Sequence, residues 1–178
     1  ERLEKLPLES IVEKKVRDNF LFACETGLRF GDLKKLKPHH LNDGNLKITQ
    51  SKTQKPVTIP LSDRVLRVLF RNDGFLPPYE NSVTQYNKVL RLVAEKADIN
   101  DMIVREVFKA GGSYTRINKK FELISSHTAR RSFCTNKFLK EMPAQAIMQF
   151  SGHKSERSFL RYLRIDSELA AVKYREFF

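Results

Sequence analysis

The sequence holds no tryptophan and only two cysteines, Cys24 and Cys134, in 178 residues. Each thiol sits beside apolar residues in helix-like sequence. The pair cannot staple a small secreted scaffold, and both read as reduced thiols of an intracellular protein. No apolar run approaches the roughly 18 residues that a membrane span needs, and Glu1 to Leu8 lack a signal-peptide pattern. Glycine and proline, seven of each, form no low-complexity linker, and no internal repeat occurs. Neither H-E-x-x-H nor C-x-x-C is present, nor any other pair at metal-ligand spacing, which makes a metal hydrolase a poor reading. A Walker loop and a G-x-G-x-x-G are missing too, so nucleotide binding has no support. Acidic residues are the last shortage, with 21 Asp and Glu against 33 Lys and Arg and a formal charge of +12.

A chain of 178 residues suits one compact domain. Apolar residues make up 40%, including 13 Phe, which is enough to fill a core and excludes a disordered polycation. A compact domain this basic most often meets a polyanion, and nucleic acid is the commonest one inside a cell. The chain opens without Met and close to a helix start, so it is expected to be a piece of something longer.

The apolar spacing predicts a mainly helical domain carrying a small antiparallel sheet, an α+β class. Ile11, Val12, Val16, Phe20 and Ala23 fall at helical spacing between Ser10 and Thr26, with Ser10 and Glu13 as a capping box and Gly27 at the stop. A shorter helical piece runs from Phe30 to Leu36. Between Leu41 and Leu61, Leu46, Ile48, Val57 and Ile59 alternate with polar residues, predicting a hairpin closed around Ser51 to Lys55. Helices follow over Ser62 to Phe70 and Ser82 to Ala97, the second opened by Ser82 and Gln85. Residues Ile103 to Ile124 read as extended. Closing helices are expected over Thr128 to Glu141, Ala144 to Phe150 and Ser155 to Leu163, then an amphipathic piece from Ser167 to Phe178.

Three places carry chemistry-bearing side chains. Arg29 and Asp32 follow the Gly27 stop, and alone such a pair is usually a surface ion pair. Lys52 and Lys55 sit at a hairpin tip, usually a solvated loop. In the last third, His127 and Arg130 share one face of a helix start, and His153 stands in a Gly-His turn nine residues before Tyr162. Unbroken helix would put His153 and Tyr162 on opposite faces, so their convergence requires the turn at Ser151 to Lys154. Together these residues make a cationic set with a single oxygen nucleophile. Such a set suits attack on a phosphodiester without a metal. Guanidinium groups present forked donors to the nonbridging oxygens, where charge grows in the transition state. A tyrosyl phosphoester conserves the bond energy, and a general acid protonates the departing sugar oxygen.

These residues resemble the catalytic domain of tyrosine recombinases, the phage-integrase family. The match lies in Thr26-Gly27-Leu28-Arg29 with Asp32, Lys52 before Val57-Thr58-Ile59-Pro60-Leu61, His127-Thr128-Ala129-Arg130, Gly152-His153, and Tyr162. It runs from Phe20 to about Ile165. The resemblance implies that Tyr162 attacks the scissile phosphate and becomes linked to the DNA 3′ end. Arg29 and Arg130 would clamp the phosphate and His153 would bond a nonbridging oxygen. His127 would assist proton transfer at the Tyr162 hydroxyl, and Lys52 would protonate the 5′-hydroxyl leaving group. Asp32 would hold the Arg or His side chains in place. Lys55 rivals Lys52, Arg131 adjoins Arg130, and Tyr114 and Tyr174 rival Tyr162 in chemistry but not in spacing.

Departures from the family pattern are Ser151, where Leu is more usual, and a long segment from Met102 to Leu123. That segment resembles the basic hairpin in integrases of some conjugative elements. Arg105, Lys109, Arg116, Lys119 and Lys120, with Lys55 and Arg131, would serve the DNA backbone. The family places a helical core-binding domain ahead of the catalytic one, so residues 1–178 alone are expected to bind DNA weakly. The resemblance further implies duplex DNA as partner, no metal or ATP cofactor and no membrane. It also implies a tetramer on two duplexes, with accessory DNA-bending or directionality proteins admitted. The expected place of action is the cytoplasm of a prokaryotic cell, at the nucleoid. The segment 167–178 either closes its own core or docks on a neighbouring protomer. Two competing readings stand beside this one: an accessory DNA-binding domain that has lost catalysis, and a type IB topoisomerase.

Overall fold

Ser10 starts the longest described helix, accepting from the Glu13 amide at 3.5 Å. That helix, α2, spans Ile11–Thr26 and stops where Gly27 turns left-handed at φ 68°. Only half of the expected capping box forms, because the Glu13 carboxylate reaches Lys96 Nζ at 2.6 Å instead of its own helix start. Val16, Phe20, Phe22 and Ala23 bury one face of α2, and a short helix α1, Arg2–Lys5, packs beside it through Leu3. The computed structural model describes every residue except Arg164, Asp166 and Phe178, and every side chain but those of these three and of Lys109, Ser167, Leu169 and Phe177.

After Gly27, helix α3 holds only Phe30–Leu33, shorter than the stretch to Leu36 expected from spacing. Two tight turns follow it, and Lys37 must then be extended (φ −134°, ψ 157°) because Pro38 comes next. Strands β1 (Leu41–Asn42), β2 (Asn45–Thr49) and β3 (Pro56–Pro60) form an antiparallel sheet in the order β1-β2-β3. Asp43 and Gly44, at φ 50° and 71°, close the first turn. The register pairs Leu46 with Ile59 and Ile48 with Val57, and all four are buried as the alternation requires.

Helix α4 is Asp63–Phe70 and α5 is Val83–Lys96, capped by the hydroxyls of Ser62 and Ser82. Strands β4 (Met102–Lys109) and β5 (Gly112–Lys119) make a separate two-stranded hairpin. The extended stretch expected to reach Ile124 ends at Lys119. There the Glu122 carboxylate takes the Lys119 amide at 3.1 Å and Asn118 Nδ2 at 2.9 Å, tightening Lys120–Leu123 into a 3₁₀ turn. Four helices close the chain: α6 (Ser126–Leu139), α7 (Ala144–Ser151), α8 (Glu156–Leu160) and α9 (Ser167–Lys173). None of the described helices is long and apolar enough to cross a membrane.

Helix α2 runs through the main core, with α4, α5 and α6 packed on it. Phe133, Cys134, Ile147 and Phe159 form a second buried cluster, and Tyr162 rests partly buried against it. The fold is thus mixed, mainly helical with small antiparallel sheets. Of the tail, Lys173 Nζ meets Glu141 Oε1 at 3.3 Å, while Phe178 and the side chains of Leu169 and Phe177 lie outside the described residues.

Candidate active site

Arg130 is the largest fully buried side chain, at 1% exposure. A guanidinium there must be hydrogen-bonded or it would cost several kcal/mol. Its Nη1 donates to the Gly27 carbonyl at 2.8 Å, and its Nη2 lies 3.1 Å from His153 Nε2. Burial, then the nearby charge of Arg29, lowers its pKa to about 10, which still leaves it cationic near neutral pH. Two glycines make this packing feasible. A Cβ at Gly27 would lie 2.5 Å from Phe133 Cδ1, and one at Gly152 would lie 2.4 Å from Gln50 Oε1. Both residues are left-handed, at φ 68° and 67°.

Gly152→Ala should therefore lose about 1–2 kcal/mol from backbone strain alone, and more from displacing Gln50. The expected result is a melting temperature lower by several degrees, read by thermal unfolding.

Helix α7 ends at Ser151, and the Gly152 turn lets the chain reverse before α8. Helix α8 stops at Leu160, three residues short of the predicted end, so Tyr162 stands in a turn closed by its amide on the Phe159 carbonyl at 2.7 Å. That pair of turns brings the rings of His153 and Tyr162 to 4.8 Å between centroids. Arg130 Cζ lies 5.4 Å from the Tyr162 ring centre, a cation–π contact. Tyr162 Oη is 3.5 Å from His127 Nδ1, a long approach of the kind that tightens when substrate binds. His127 is exposed. Burial, then Arg131, Arg130, Arg29 and Lys52, lowers its pKa, so the ring is neutral near neutral pH and able to accept a proton.

His153 is buried and its pKa falls to about 3, first through burial and then through Arg130 and Arg29. Since that value lies below the ordinary 6.5, the unfolded chain takes up the proton first as pH falls. Stability should hold above pH 6.5 and decline below it, by up to about 1.4 kcal/mol per pH unit. His153→Asn should flatten that slope, measured by urea unfolding between pH 7 and about 4.

Arg29 caps α3, half-buried, and donates through Nη1 to Gln50 Oε1. Asp32 is buried, but its Oδ1 accepts the Ser51 amide at 2.8 Å. It thus pins the start of the β2–β3 loop and makes no hydrogen bond to an Arg or His, correcting the expected contact; its remaining influence on Arg130 is through charge. Lys52 is exposed in that loop with no described partner, near enough to bear on His127. Lys55 is half-buried, and its carbonyl accepts the Gln50 amide at 2.9 Å. Arg131 is half-buried and leaves its Nε unpaired.

Arg29, His127, Arg130, His153 and Tyr162 thus converge from separate segments, with Lys52 on the adjoining loop. The hairpin residues form a different surface. Arg105 and Arg116 are exposed and directly opposed across β4 and β5. Lys119 Nζ sits 5.9 Å above the Phe121 ring, and Lys120 pairs with Asp101 at 3.1 Å. The Lys109 side chain lies outside the described residues. Among the described contacts, none joins this hairpin to the cluster. No group of three or more His, Cys, Asp or Glu able to hold a metal occurs among the described residues. Gln50 is the residue that motif reading passes over. Its signal is the strand period itself, since Gln50 takes the inward position that follows Leu46 and Ile48.

The sequence model described as the Phage integrase family matches residues 5–168. No curated protein matches the chain. Among solved structures it is similar to XerA recombinase, with a TM-score of 0.66 at 15% identity over 97% of this chain and 64% of that one. It is also similar to the Tn1549 transposon integrase in complex with a circular intermediate DNA, at 0.64 and 15% over 99% and 63%. XerH site-specific recombinase bound to a palindromic difH substrate gives 0.66 and 17% over 99% and 48%. At such identities the likeness is one of fold, and the chain spans less than two thirds of each of those proteins. The sequence match covers nearly the whole chain on a fold shared with known recombinases, and the protein belongs to the phage integrase family.

Proposed function

We propose that this chain is the catalytic domain of a site-specific DNA recombinase, cleaving and rejoining strands through Tyr162. The observation that carries this reading is Tyr162, its hydroxyl beside neutral His127 and its ring against the charged Arg130. In the first step Tyr162 Oη bonds to the scissile phosphorus and the bond from phosphorus to the 5′ oxygen breaks. The phenolic proton goes to His127, and Lys52 gives a proton to the departing 5′ oxygen. Arg29 and Arg130 meet the nonbridging oxygens, where fixed cations stabilise charge as it grows. The product is a 3′-phosphotyrosyl linkage of similar energy to the bond broken, so a 5′-hydroxyl from another strand can reverse the step. No metal or nucleotide enters the balance.

Exposed Arg105 and Arg116 would contact the flanking duplex backbone, making affinity fall steeply with salt. Duplex DNA as substrate, assembly into a tetramer on two duplexes, docking of residues 167–178 in trans and action at a prokaryotic nucleoid belong to the same proposal. The test is incubation with a pool of nicked duplexes in EDTA, followed by denaturing gels. A denaturant-resistant adduct on a 3′ end is expected. No adduct, or one that appears only with a divalent metal, would overturn the reading; relaxation of plasmids without site preference would favour a topoisomerase.

A further inference from the structure

Two residues outside the proposed catalytic set join its two arginines. Gln50 is fully buried, accepts on Oε1 from Arg29 Nη1 and donates Nε2 to the Ser151 carbonyl at 3.0 Å. Ser151 is also fully buried and gives its hydroxyl proton to the Ile147 carbonyl at 2.7 Å. Its Oγ lies 2.8 Å from His153 Nδ1. With the single hydroxyl proton already committed, Nδ1 must be the donor in that contact. The neutral ring then carries no proton on Nε2, and Arg130 Nη2 packs against the ring, 3.4 Å from Nδ1 and 3.1 Å from Nε2. A continuous path results: Arg29, Gln50, Ser151, His153, Arg130.

Gln50 Oε1 accepts from Arg29, the Gly27 carbonyl accepts from Arg130, and the His153 ring packs against Arg130. All three partners are uncharged. A carboxylate in their place would fix the side chains equally well but would cancel the charge that a phosphate needs. Burial first, and then repulsion from Arg29, lowers the pKa of Arg130, so without a neutral acceptor Arg29 would turn toward water.

We propose that Gln50 and Ser151 are positioning residues that hold Arg29 and Arg130 in a preset, still fully charged arrangement for the phosphate. Gln50 acts on Arg29 directly, and Ser151 acts on Arg130 by holding the His153 ring against it through Nδ1. In this arrangement the His153 ring supports Arg130. The proposal rests on the reading that these arginines meet the scissile phosphate.

Two measurements test it. Nitrogen NMR of ¹⁵N-histidine-labelled chain should find His153 protonated on Nδ1; a ring protonated on Nε2 would overturn the assignment. Gln50→Glu, nearly isosteric, loses the amide donor to Ser151 and pairs its charge with Arg29. It should slow single-turnover cleavage at least about tenfold, with duplex affinity kept within about twofold. Cleavage within about twofold of the wild-type rate would contradict a positioning role. A wild-type chain that forms no adduct at all would instead overturn the catalytic reading, while the tautomer result would still decide the path through Ser151.

Discussion

Tyr162→Phe should form no covalent adduct with DNA while still binding it. The change removes one oxygen and leaves the ring, so the contacts with Arg130 and His153 and the packing on the Phe133 and Phe159 cluster are kept. Folding and duplex affinity should therefore stay close to those of the parent chain. Cleavage should fall below detection, because the Ser151 hydroxyl beside His153 is buried and committed to the Ile147 carbonyl. Tyr79 and Tyr86 are buried elsewhere, against Phe30. Tyr114 lies on the β5 strand, away from every described contact with the site. The check is a denaturing gel with labelled suicide duplex alongside an affinity measurement on the same preparation. An adduct that persists in the variant would show that Tyr162 is not the nucleophile.

Arg130→Lys should be nearly as damaging, although it keeps the charge. One planar guanidinium now donates to the Gly27 carbonyl at 2.8 Å and packs against the His153 ring, 3.1 Å from Nε2. A lysine ammonium is a point donor on a flexible stem and cannot reproduce that spread. It would leave a buried acceptor unpaired, a loss of about 1–3 kcal/mol in stability. It would also lose the aligned donor for the phosphate, slowing cleavage by about 10²–10³-fold. Affinity for the duplex should change far less, since the proposed backbone contacts elsewhere would carry most of it. Single-turnover rates and equilibrium binding at fixed salt separate the two effects. Equal losses in both would mean that Arg130 serves binding alone.

The helices and the central hairpin were legible in the sequence because their signals are local. Ser10, Ser62 and Ser82 mark helix starts, Gly27 marks a stop, and Leu46, Ile48, Val57 and Ile59 alternate at the strand period. Element ends were less legible where a distant or unusual partner decides them. Glu13 leaves its own cap for Lys96, and Glu122 folds back on Lys119 to end a strand. Helix α8 ends early in a turn closed by the Tyr162 amide on the Phe159 carbonyl. The cationic set was readable from residue types and order, since each member sits in a recognisable motif. Gln50 was not, because it meets the Ser151 carbonyl about a hundred residues away, and the Ser151 hydroxyl was not, because its place beside His153 depends on the Gly152 turn. Asp32 shows the same limit: its place beside Arg29 suggested an ion pair, while its partner is a backbone amide across the chain.

The most direct measurement is to digest the trapped protein–DNA adduct and locate the modified residue by mass spectrometry. Attachment to Tyr162 through a 3′ phosphate is the expected result. Attachment to Tyr174, Tyr114 or a serine, or linkage through a 5′ phosphate, would contradict it.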